Sequence, residues 1–116
     1  MDKEQMALMD VLRNHLKGAF YYNETPEHQT ILRAYSTDAS VYQERPLAVA
    51  IPRDLDDLKK LIAFAQAQGI TLIPRTAGTS LAGQVVGRGI VVDVSKHFNQ
   101  ILEVNAEERW VRVQPG

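Results

Sequence analysis

The sequence lacks cysteine, which excludes disulfides, thiolate nucleophiles and thiolate metal ligands. Acidic and basic residues nearly balance at a formal net charge of -1, so no overall basic field favours nucleic-acid binding. No apolar run reaches the roughly 18 residues of a membrane-spanning helix, and the N-terminus has no basic stretch followed by an apolar one. We therefore expect no nucleic-acid partner and no membrane-spanning segment, with the cytoplasm as the default location.

The composition is that of an ordinary folded domain. The chain has 116 residues, of which 45% are hydrophobic and 23% charged, enough for one domain with its own core. Apolar residues at mixed spacings of three and four predict an amphipathic helix from Asp2 to Lys17, closed by Gly18. The stretch from Gly18 to Asp38 lacks sustained periodicity and is predicted to be loop, with a short turn at Glu27 to Leu32. The aromatic cluster Phe20–Tyr22 could stack on an adenine, but satellite core is its expected role.

A strand, a helix and a second strand follow with short connections. The apolar run Leu47 to Ile51 predicts a strand buried on both faces. Asp54 is the expected helix N-cap, with Asp57 placed in the first turn at the positive end of the helix dipole. Gly69 ends this helix, and Ile70 to Pro74 forms the next strand. Such units are nearly always parallel and right-handed, so a small parallel sheet is predicted.

The middle helix carries one apolar face, and more strands follow it. We predict that this face packs on the sheet, with Leu58 and Leu61 as its most secure core residues. Its members are Leu55, Leu58, Leu61 and Ile62. A third strand is predicted at Ile90 to Val94, and Ile101 to Val104 pairs with Trp110 to Val113 as a hairpin around a polar turn.

The segment between the second and third strands carries the chemistry. Pro74 to Gln84 is dense in small and hydroxyl-bearing residues where a strand ends. Small residues let the main chain approach an anion closely, and successive backbone N–H groups bind phosphate oxygens. The spacing from Gly78 to Gly83 suits a P-loop, but Gln84 stands where the lysine belongs. The glycines also do not form the dinucleotide-binding pattern, so a nicotinamide cofactor is not expected.

The segment from Tyr35 to Gly116 resembles the FAD-binding domain of the vanillyl-alcohol oxidase and p-cresol methylhydroxylase superfamily, particularly its glycolate oxidase and D-lactate dehydrogenase branch. The order and spacing of several short matches carry this resemblance. They are Tyr35–Tyr42, Pro46 with the first strand and Pro52, the Asp54 helix, Pro74–Gln84, Gly89–Ser95, Ile101–Val104 and Val113–Gly116. The implied fold is α+β, the first subdomain of the PCMH-type FAD-binding fold, with a small mainly parallel sheet flanked by helices and a C-terminal hairpin. Residues 1–34 would form an N-terminal helix and connecting loop, and residues 35–116 an incomplete FAD-binding domain.

The resemblance also implies a cofactor site. The backbone and hydroxyls of the loop would hold the FAD pyrophosphate, while Gln84 would lie nearer the flavin. The implied site residues are Pro74, Arg75, Thr76, Ala77, Gly78, Thr79, Ser80 and Gln84. Members that attach FAD covalently through this loop have a histidine where this chain has Thr79, so noncovalent FAD is implied. Ala77 replaces a glycine common among relatives, and binding is expected to survive that change.

The remaining polar residues give no convincing base, nucleophile or metal ligand set. His15, His28 and His97 are far apart in sequence and lack partners at ligand spacing, so surface or structural roles are expected. Asp38 and Tyr42 are expected to brace the cofactor domain. No catalytic residue and no metal are predicted.

The functional expectation follows from the resemblance. The parent protein would be an FAD-dependent oxidoreductase that oxidises a 2-hydroxy acid or related alcohol by hydride transfer to FAD. The family's domain continues past the segment matched by Val113–Gly116 into a second glycine-rich stretch and then a substrate domain, so the small-molecule substrate would bind elsewhere and this chain alone would be inactive. The alternatives are a noncatalytic folded fragment, which could form a homo-oligomer through an uncovered apolar face, and an anion- or nucleotide-binding module without turnover.

Overall fold

Residues 2–116, which the computed structural model describes, form three helices and six strands. The elements in chain order are α1 (Lys3–His15), β1 (Ala19–Tyr21), α2 (Pro26–Ala34), β2 (Ala48–Ile51), α3 (Leu55–Gln68), β3 (Leu72–Arg75), β4 (Ile90–Asp93), β5 (Ile101–Asn105) and β6 (Trp110–Val113).

A four-stranded sheet organises the fold, in the order β1-β2-β4-β3. Strands β2, β4 and β3 are parallel, and β1 joins β2 antiparallel at the edge. Alternate residues point to opposite faces, so Val49 and Val91 pack with Leu32 on one side while Ile90 packs with Leu61 on the other. Both faces are covered by helices, which explains the continuous apolar strands. The predicted α+β class with a mainly parallel sheet is confirmed.

The segment predicted as loop between Gly18 and Asp38 instead holds β1 and α2. Strand β1 has three residues and exists through its pairing with β2, in which Phe20 lies opposite Ala50. Helix α2 begins with Thr25 as N-cap and Pro26 in its first turn, a start signal present in the sequence. Phe20 and the nearby Tyr22 also belong to the main core rather than to a satellite cluster.

Helix α1 ends earlier than predicted. Its last residue is His15, and Leu16 already has extended backbone angles. The backbone N–H groups of Lys17 and Gly18 donate to the carboxylate of Asp57 on α3 instead of continuing the helix. A contact with a residue about forty positions later therefore decides where α1 stops.

Helix α3 has the predicted ends but a narrower buried face. Asp54 caps its N-terminus, and Gly69 ends it with a left-handed φ of 65°. Leu61 is fully buried and Leu58 packs against the core. The prediction was wrong for Leu55 and Ile62, whose exposures are 61% and 55%. The buried stripe instead runs along every fourth residue, through Asp57, Leu61 and Ala65.

Strands β5 and β6 form the predicted hairpin as a separate two-stranded antiparallel sheet. Asn105 pairs with Trp110 across the turn, and a register irregularity lies between Ile101 and Glu103. Within residues 2–116, no helix combines the length and the apolar character needed to cross a membrane.

Candidate functional site

The carboxyl ends of the parallel strands meet at one edge of the sheet. Strand β3 ends at Arg75 and β4 ends at Asp93, and these two residues are partners in the ladder. Residues 74–84, which we call the glycine loop, leave the sheet at this edge. Ligands of open parallel sheets bind beyond the carboxyl ends of the strands. The topology therefore places the loop where such a ligand binds.

The glycine loop offers an open backbone. Thr76, Ala77 and Thr79 are exposed, and Gly78 has a left-handed φ of 70°. Within residues 2–116, no backbone N–H from Thr76 to Ser80 donates a hydrogen bond to a protein acceptor. A run of unpartnered N–H groups around a left-handed residue is the arrangement that binds anions in other proteins.

Ser80 and Gln84 are brought together inside the loop. The Ser80 hydroxyl oxygen lies 3.2 Å from the backbone N of Ala82 and 3.2 Å from that of Gln84, and accepts from both N–H groups. The same hydroxyl donates to Oε1 of Gln84 at 3.2 Å. These bonds hold the second half of the loop in a compact turn and leave the 76–80 backbone at its rim.

The guanidinium of Arg75 is turned toward the protein. Its Nη1 donates to the backbone oxygen of Thr37 at 2.6 Å and to that of Val85 at 3.5 Å. The guanidinium carbon lies 5.2 Å from the centre of the Tyr35 ring, within cation–π distance. A Cβ on Gly78 would come within 2.4 Å of Nη2, so the guanidinium packs directly against this glycine.

Asp93 organises the sheet edge beneath the loop. It is 7% exposed and accepts hydrogen bonds from the Tyr35 hydroxyl and from the backbone and hydroxyl of Ser95. Burial and the hydrogen bond to the Asp93 carboxylate raise the pKa of Tyr35 far above its usual value, although Arg75 opposes the shift. Tyr35 thus stays a proton donor to Asp93. Neither Tyr35 nor Asp93 was predicted for this site. A carboxylate at the end of an apolar strand is nevertheless a pattern that could have indicated Asp93.

The segment Tyr35–Tyr42 lies against the glycine loop. The backbone N–H of Ala39 donates to the carbonyl of Gly78 at 3.0 Å. The Tyr42 ring covers Gly83 so closely that an added Cβ would lie 2.8 Å from it. The Ser40 hydroxyl hydrogen bond lowers the pKa of Asp38, against a raising effect of burial. Tyr42 therefore contacts the loop, and Asp38 accepts hydrogen bonds from Ser40 within the same segment.

An apolar groove of about 390 Å³ adjoins the loop between α3 and the sheet. Its lining includes Leu58 and the exposed Ile62 of α3, and it reaches the loop at Pro74, Arg75 and Thr76. The exposed apolar side of α3 thus continues the surface on which the candidate site lies.

Three carboxylates cluster at the start of α3, with oxygens within 4.8 Å of one another. Each has a structural partner: Asp57 accepts backbone N–H groups, Asp54 pairs with Lys17, and Asp56 with Lys60. Capping and ion pairing account for Asp54 and the exposed Asp56, and backbone hydrogen bonds account for the buried Asp57.

A family model for an FAD binding domain matches residues 46–116. This chain belongs to that FAD-binding domain family. The match includes the whole glycine loop, strands β2 to β6 and helix α3. The family resemblance inferred from the sequence is therefore confirmed.

Curated relatives of this FAD-binding domain include 2-hydroxy-acid enzymes. The chain is 49% identical over 84 residues to D-2-hydroxyglutarate dehydrogenase of Pseudomonas putida, covering 70% of this chain and 8% of that relative. It is 38% identical over 84 residues to glycolate oxidase subunit GlcD of Bacillus subtilis, covering 71% of this chain and 18% of that subunit. It is 32% identical over 126 residues to mitochondrial D-lactate dehydrogenase [cytochrome] of Kluyveromyces lactis, covering 99% of this chain and 21% of that enzyme. The domain thus spans a small part of each relative.

Solved structures share the fold of this FAD-binding domain. The BBE-like 1 protein of Physcomitrella patens, in a variant form, superposes with a TM-score of 0.67 at 20% identity, covering 87% of this chain and 21% of that chain. The 6-hydroxy-D-nicotine oxidase of Arthrobacter nicotinovorans superposes with a TM-score of 0.62 at 21% identity, covering 75% of this chain and 18% of that chain. At such identities the likeness concerns the fold.

Proposed function

We propose that this domain supplies the pyrophosphate-binding part of the FAD site in a flavin-dependent oxidoreductase. The observation that carries the proposal is the glycine loop, whose unpartnered N–H groups stand at the carboxyl edge of a parallel sheet. The Ala39 N–H, which donates to the Gly78 carbonyl, and the Ser80 hydroxyl, which accepts from Ala82 and Gln84, hold the loop without using these N–H groups. An anion could accept hydrogen bonds from the N–H groups of Thr76 to Ser80 without breaking any hydrogen bond within the protein.

The loop fits a pyrophosphate in shape and chemistry. The N–H groups from Thr76 to Ser80 and the exposed Thr76 and Thr79 hydroxyls would surround its oxygens, flanked by Pro74 and Arg75. Gly78 permits the left-handed turn at the centre of the rim, because a Cβ at this position would be strained and would collide with the Arg75 guanidinium. Ala77 adds one exposed methyl group. Gln84, held by Ser80, would lie toward the flavin.

FAD supplies the redox chemistry, and this chain's residues bind and orient it. We propose that the cofactor is held without a covalent bond, since the position of the histidine used by covalently linked relatives is occupied by Thr79. Thr79 is exposed, and its hydroxyl would serve as a hydrogen-bond donor to the cofactor.

The substrate is proposed to be a 2-hydroxy acid or related alcohol, oxidised by hydride transfer to FAD. The named relatives, a 2-hydroxyglutarate dehydrogenase, a glycolate oxidase subunit and a lactate dehydrogenase, support this class. The substrate would bind outside the segment matched here. We also propose a cytoplasmic location and self-association of the isolated domain. A division into residues 1–34 and 35–116 is proposed as well, with one sheet joining the two parts, because β1 pairs with β2.

The experiment uses the full protein that contains this chain, purified and stripped of flavin. FAD is titrated by flavin fluorescence, with riboflavin and ADP as competitors. We expect ADP to compete and riboflavin to bind much more weakly, because it lacks the pyrophosphate. Equal affinity for riboflavin and FAD would contradict a pyrophosphate site.

The reaction class is tested separately by anaerobic mixing of the FAD-loaded protein with D-2-hydroxyglutarate, D-lactate or glycolate. Bleaching of the flavin absorbance by at least one of them is expected. A protein that binds FAD but is reduced by none of these acids would refute the substrate class and leave the cofactor site standing.

A further inference from the structure

The charge nearest the glycine loop is engaged by the protein through Nη1 of Arg75. The guanidinium of Arg75 lies under the loop, where it contacts Thr37, Val85 and the Tyr35 ring. A cation placed to bind pyrophosphate would extend toward the rim that carries the open N–H groups. Here the same group packs against the inner side of Gly78.

We infer that Arg75 is a positioning residue, which clamps the glycine loop to the segment Tyr35–Tyr42 and so sets the shape of the anion site. The inference rests on the proposed function and names how that site is held. The ligand contacts come from the backbone and hydroxyls of the loop. The guanidinium acts through Thr37 and Val85.

The clamp joins three parts of the chain. Nη1 of Arg75 bridges the carbonyl of Thr37, which lies 38 residues before Arg75, and that of Val85, which follows the loop. Holding these two carbonyls fixes both the base of the loop and the neighbouring segment. A guanidinium can do this because its donors are planar and fixed in direction, whereas a lysine ammonium offers a single flexible point.

A second tie lies beside the first. The Ala39 N–H donates to the carbonyl of Gly78 at 3.0 Å, which orients the peptide at the centre of the loop. Because this carbonyl points to the Tyr35–Tyr42 segment, it is kept away from an incoming phosphate. Tyr42 over Gly83 provides a third contact between the same two segments.

The orientation of Arg75 is itself supported from below. Its guanidinium rests on the Tyr35 ring, and the Tyr35 hydroxyl donates to the buried Asp93. Asp93 lies opposite Arg75 in the β3–β4 ladder. Asp93 at the sheet edge, the Tyr35 ring and the Arg75 guanidinium therefore contact one another in that order beneath the loop.

The test measures FAD affinity of the full protein for Arg75→Gln and Arg75→Lys. We expect both variants to bind about tenfold or more weakly, because each loses charge-assisted hydrogen bonds to backbone carbonyls. The ratio of variant to parent Kd should stay constant between about 50 and about 500 mM salt, since no direct charge contact with phosphate is lost. Arg88→Gln is the matched control, because Arg88 is exposed and its guanidinium pairs with Glu44 instead of with the carbonyls of Thr37 and Val85.

A second pair of variants leaves every charge in place. Ala39→Pro removes the N–H that holds Gly78, and Ala39→Ser retains it. We expect Ala39→Pro to weaken FAD binding severalfold and Ala39→Ser to bind like the parent. If the Arg75 variants do not fold, this pair still tests whether the tie between the loop and the Tyr35–Tyr42 segment sets the FAD affinity.

Retention of parent affinity by Arg75→Lys, or a Kd ratio for Arg75→Gln that falls steadily toward one as salt rises, would make Arg75 a direct phosphate ligand and overturn the inference. Parent-like affinity of Ala39→Pro would show that the tie between the loop and the Tyr35–Tyr42 segment does not shape the anion site, which would also overturn the inference. These outcomes leave the proposed function intact, whereas undiminished FAD binding by a folded Gly78→Val protein would remove the loop as the site altogether.

Discussion

The carboxylate of Asp57 holds the backbone of Gly18, 39 residues earlier in the chain, with Oδ2 2.8 Å from the Gly18 nitrogen. The same side chain accepts from the N–H groups of Lys17 at 3.0 Å and Arg53 at 2.9 Å. Asp57 is fully buried. It therefore joins the end of α1, the entry to β1 and the start of α3, which goes well beyond the predicted interaction with the helix dipole.

Replacing Asp57 by asparagine should destabilise the domain. The amide keeps one acceptor oxygen but loses the charge, and it places an NH2 group against backbone donors, so we expect a loss of about 1 to 3 kcal/mol in the free energy of unfolding. Urea denaturation of both proteins measures it. The matched control is Asp56→Asn, at an exposed ion pair with Lys60, which should change the free energy by less than about 1 kcal/mol. Equal effects of the two changes would contradict the role of Asp57.

The contribution of Asp57 should depend on pH. Burial alone would raise the pKa of Asp57, but the N–H groups of Arg53, Lys17 and Gly18 outweigh it and hold the pKa below the ordinary 3.8. The folded state therefore binds fewer protons than the unfolded state, and the stabilisation is present above pH 3.8 and lost as the pH falls through the lower, folded value. The difference in stability between the parent and Asp57→Asn should shrink over that acid range. A difference that stays constant down to complete protonation would contradict this.

Adjacent residues on α3 should differ sharply in their contribution to the core. Leu61 is fully buried, so Leu61→Ala should cost about 2 to 5 kcal/mol of the free energy of unfolding. Ile62 is 55% exposed, and Ile62→Ala should cost less than about 1.5 kcal/mol. Thermal or urea unfolding of both variants compares the two sites. A larger loss for Ile62→Ala would mean that the helix is rotated relative to the sheet.

A β-branched residue at Gly78 should abolish FAD binding by the full protein. The left-handed φ of 70° is strained for valine, and its side chain would collide with the Arg75 guanidinium. Gly69→Val is the control, because Gly69 has a φ of 65° with nothing within 4 Å of an added Cβ. We expect it to lower stability but leave the FAD affinity of the folded protein near that of the parent. Fluorescence titration gives the affinities, and circular dichroism checks folding.

His28 should make the domain less stable in mild acid. Burial first, and then Arg13, lower the pKa of His28 below 6.5, and its Nδ1 accepts the Tyr22 N–H at 2.9 Å. Protonation would set a donor against a donor. The folded state binds fewer protons, so the stabilisation is present above pH 6.5 and lost as the pH falls through the folded pKa. His28→Gln should flatten this dependence, whereas His15→Gln, at an exposed position, should retain it; the same pH profile for both variants would contradict the prediction.

Much of the fold could be predicted from local patterns. The apolar runs of β2 and β4, the Asp54 cap and the Gly69 stop each depend on neighbours within a few residues, and all occur close to where the sequence placed them. The glycine loop was likewise recognisable because its small residues follow the end of a strand. Strand β1 was missed, since three residues carry no usable period and its stability comes from pairing with β2.

The sequence by itself determined the class of fold, the family and the position of the glycine loop, because these follow from short-range periodicity, caps and motif order. Only the tertiary structure decided that Asp57 ends α1, that Tyr35 supports Arg75 and that Arg75 turns inward beneath Gly78. The partners in these contacts include backbone carbonyls, which every residue has, and N–H groups, which every residue except proline has, so the residue types do not reveal them. Their directions are set only when the strands have paired and the helices have packed.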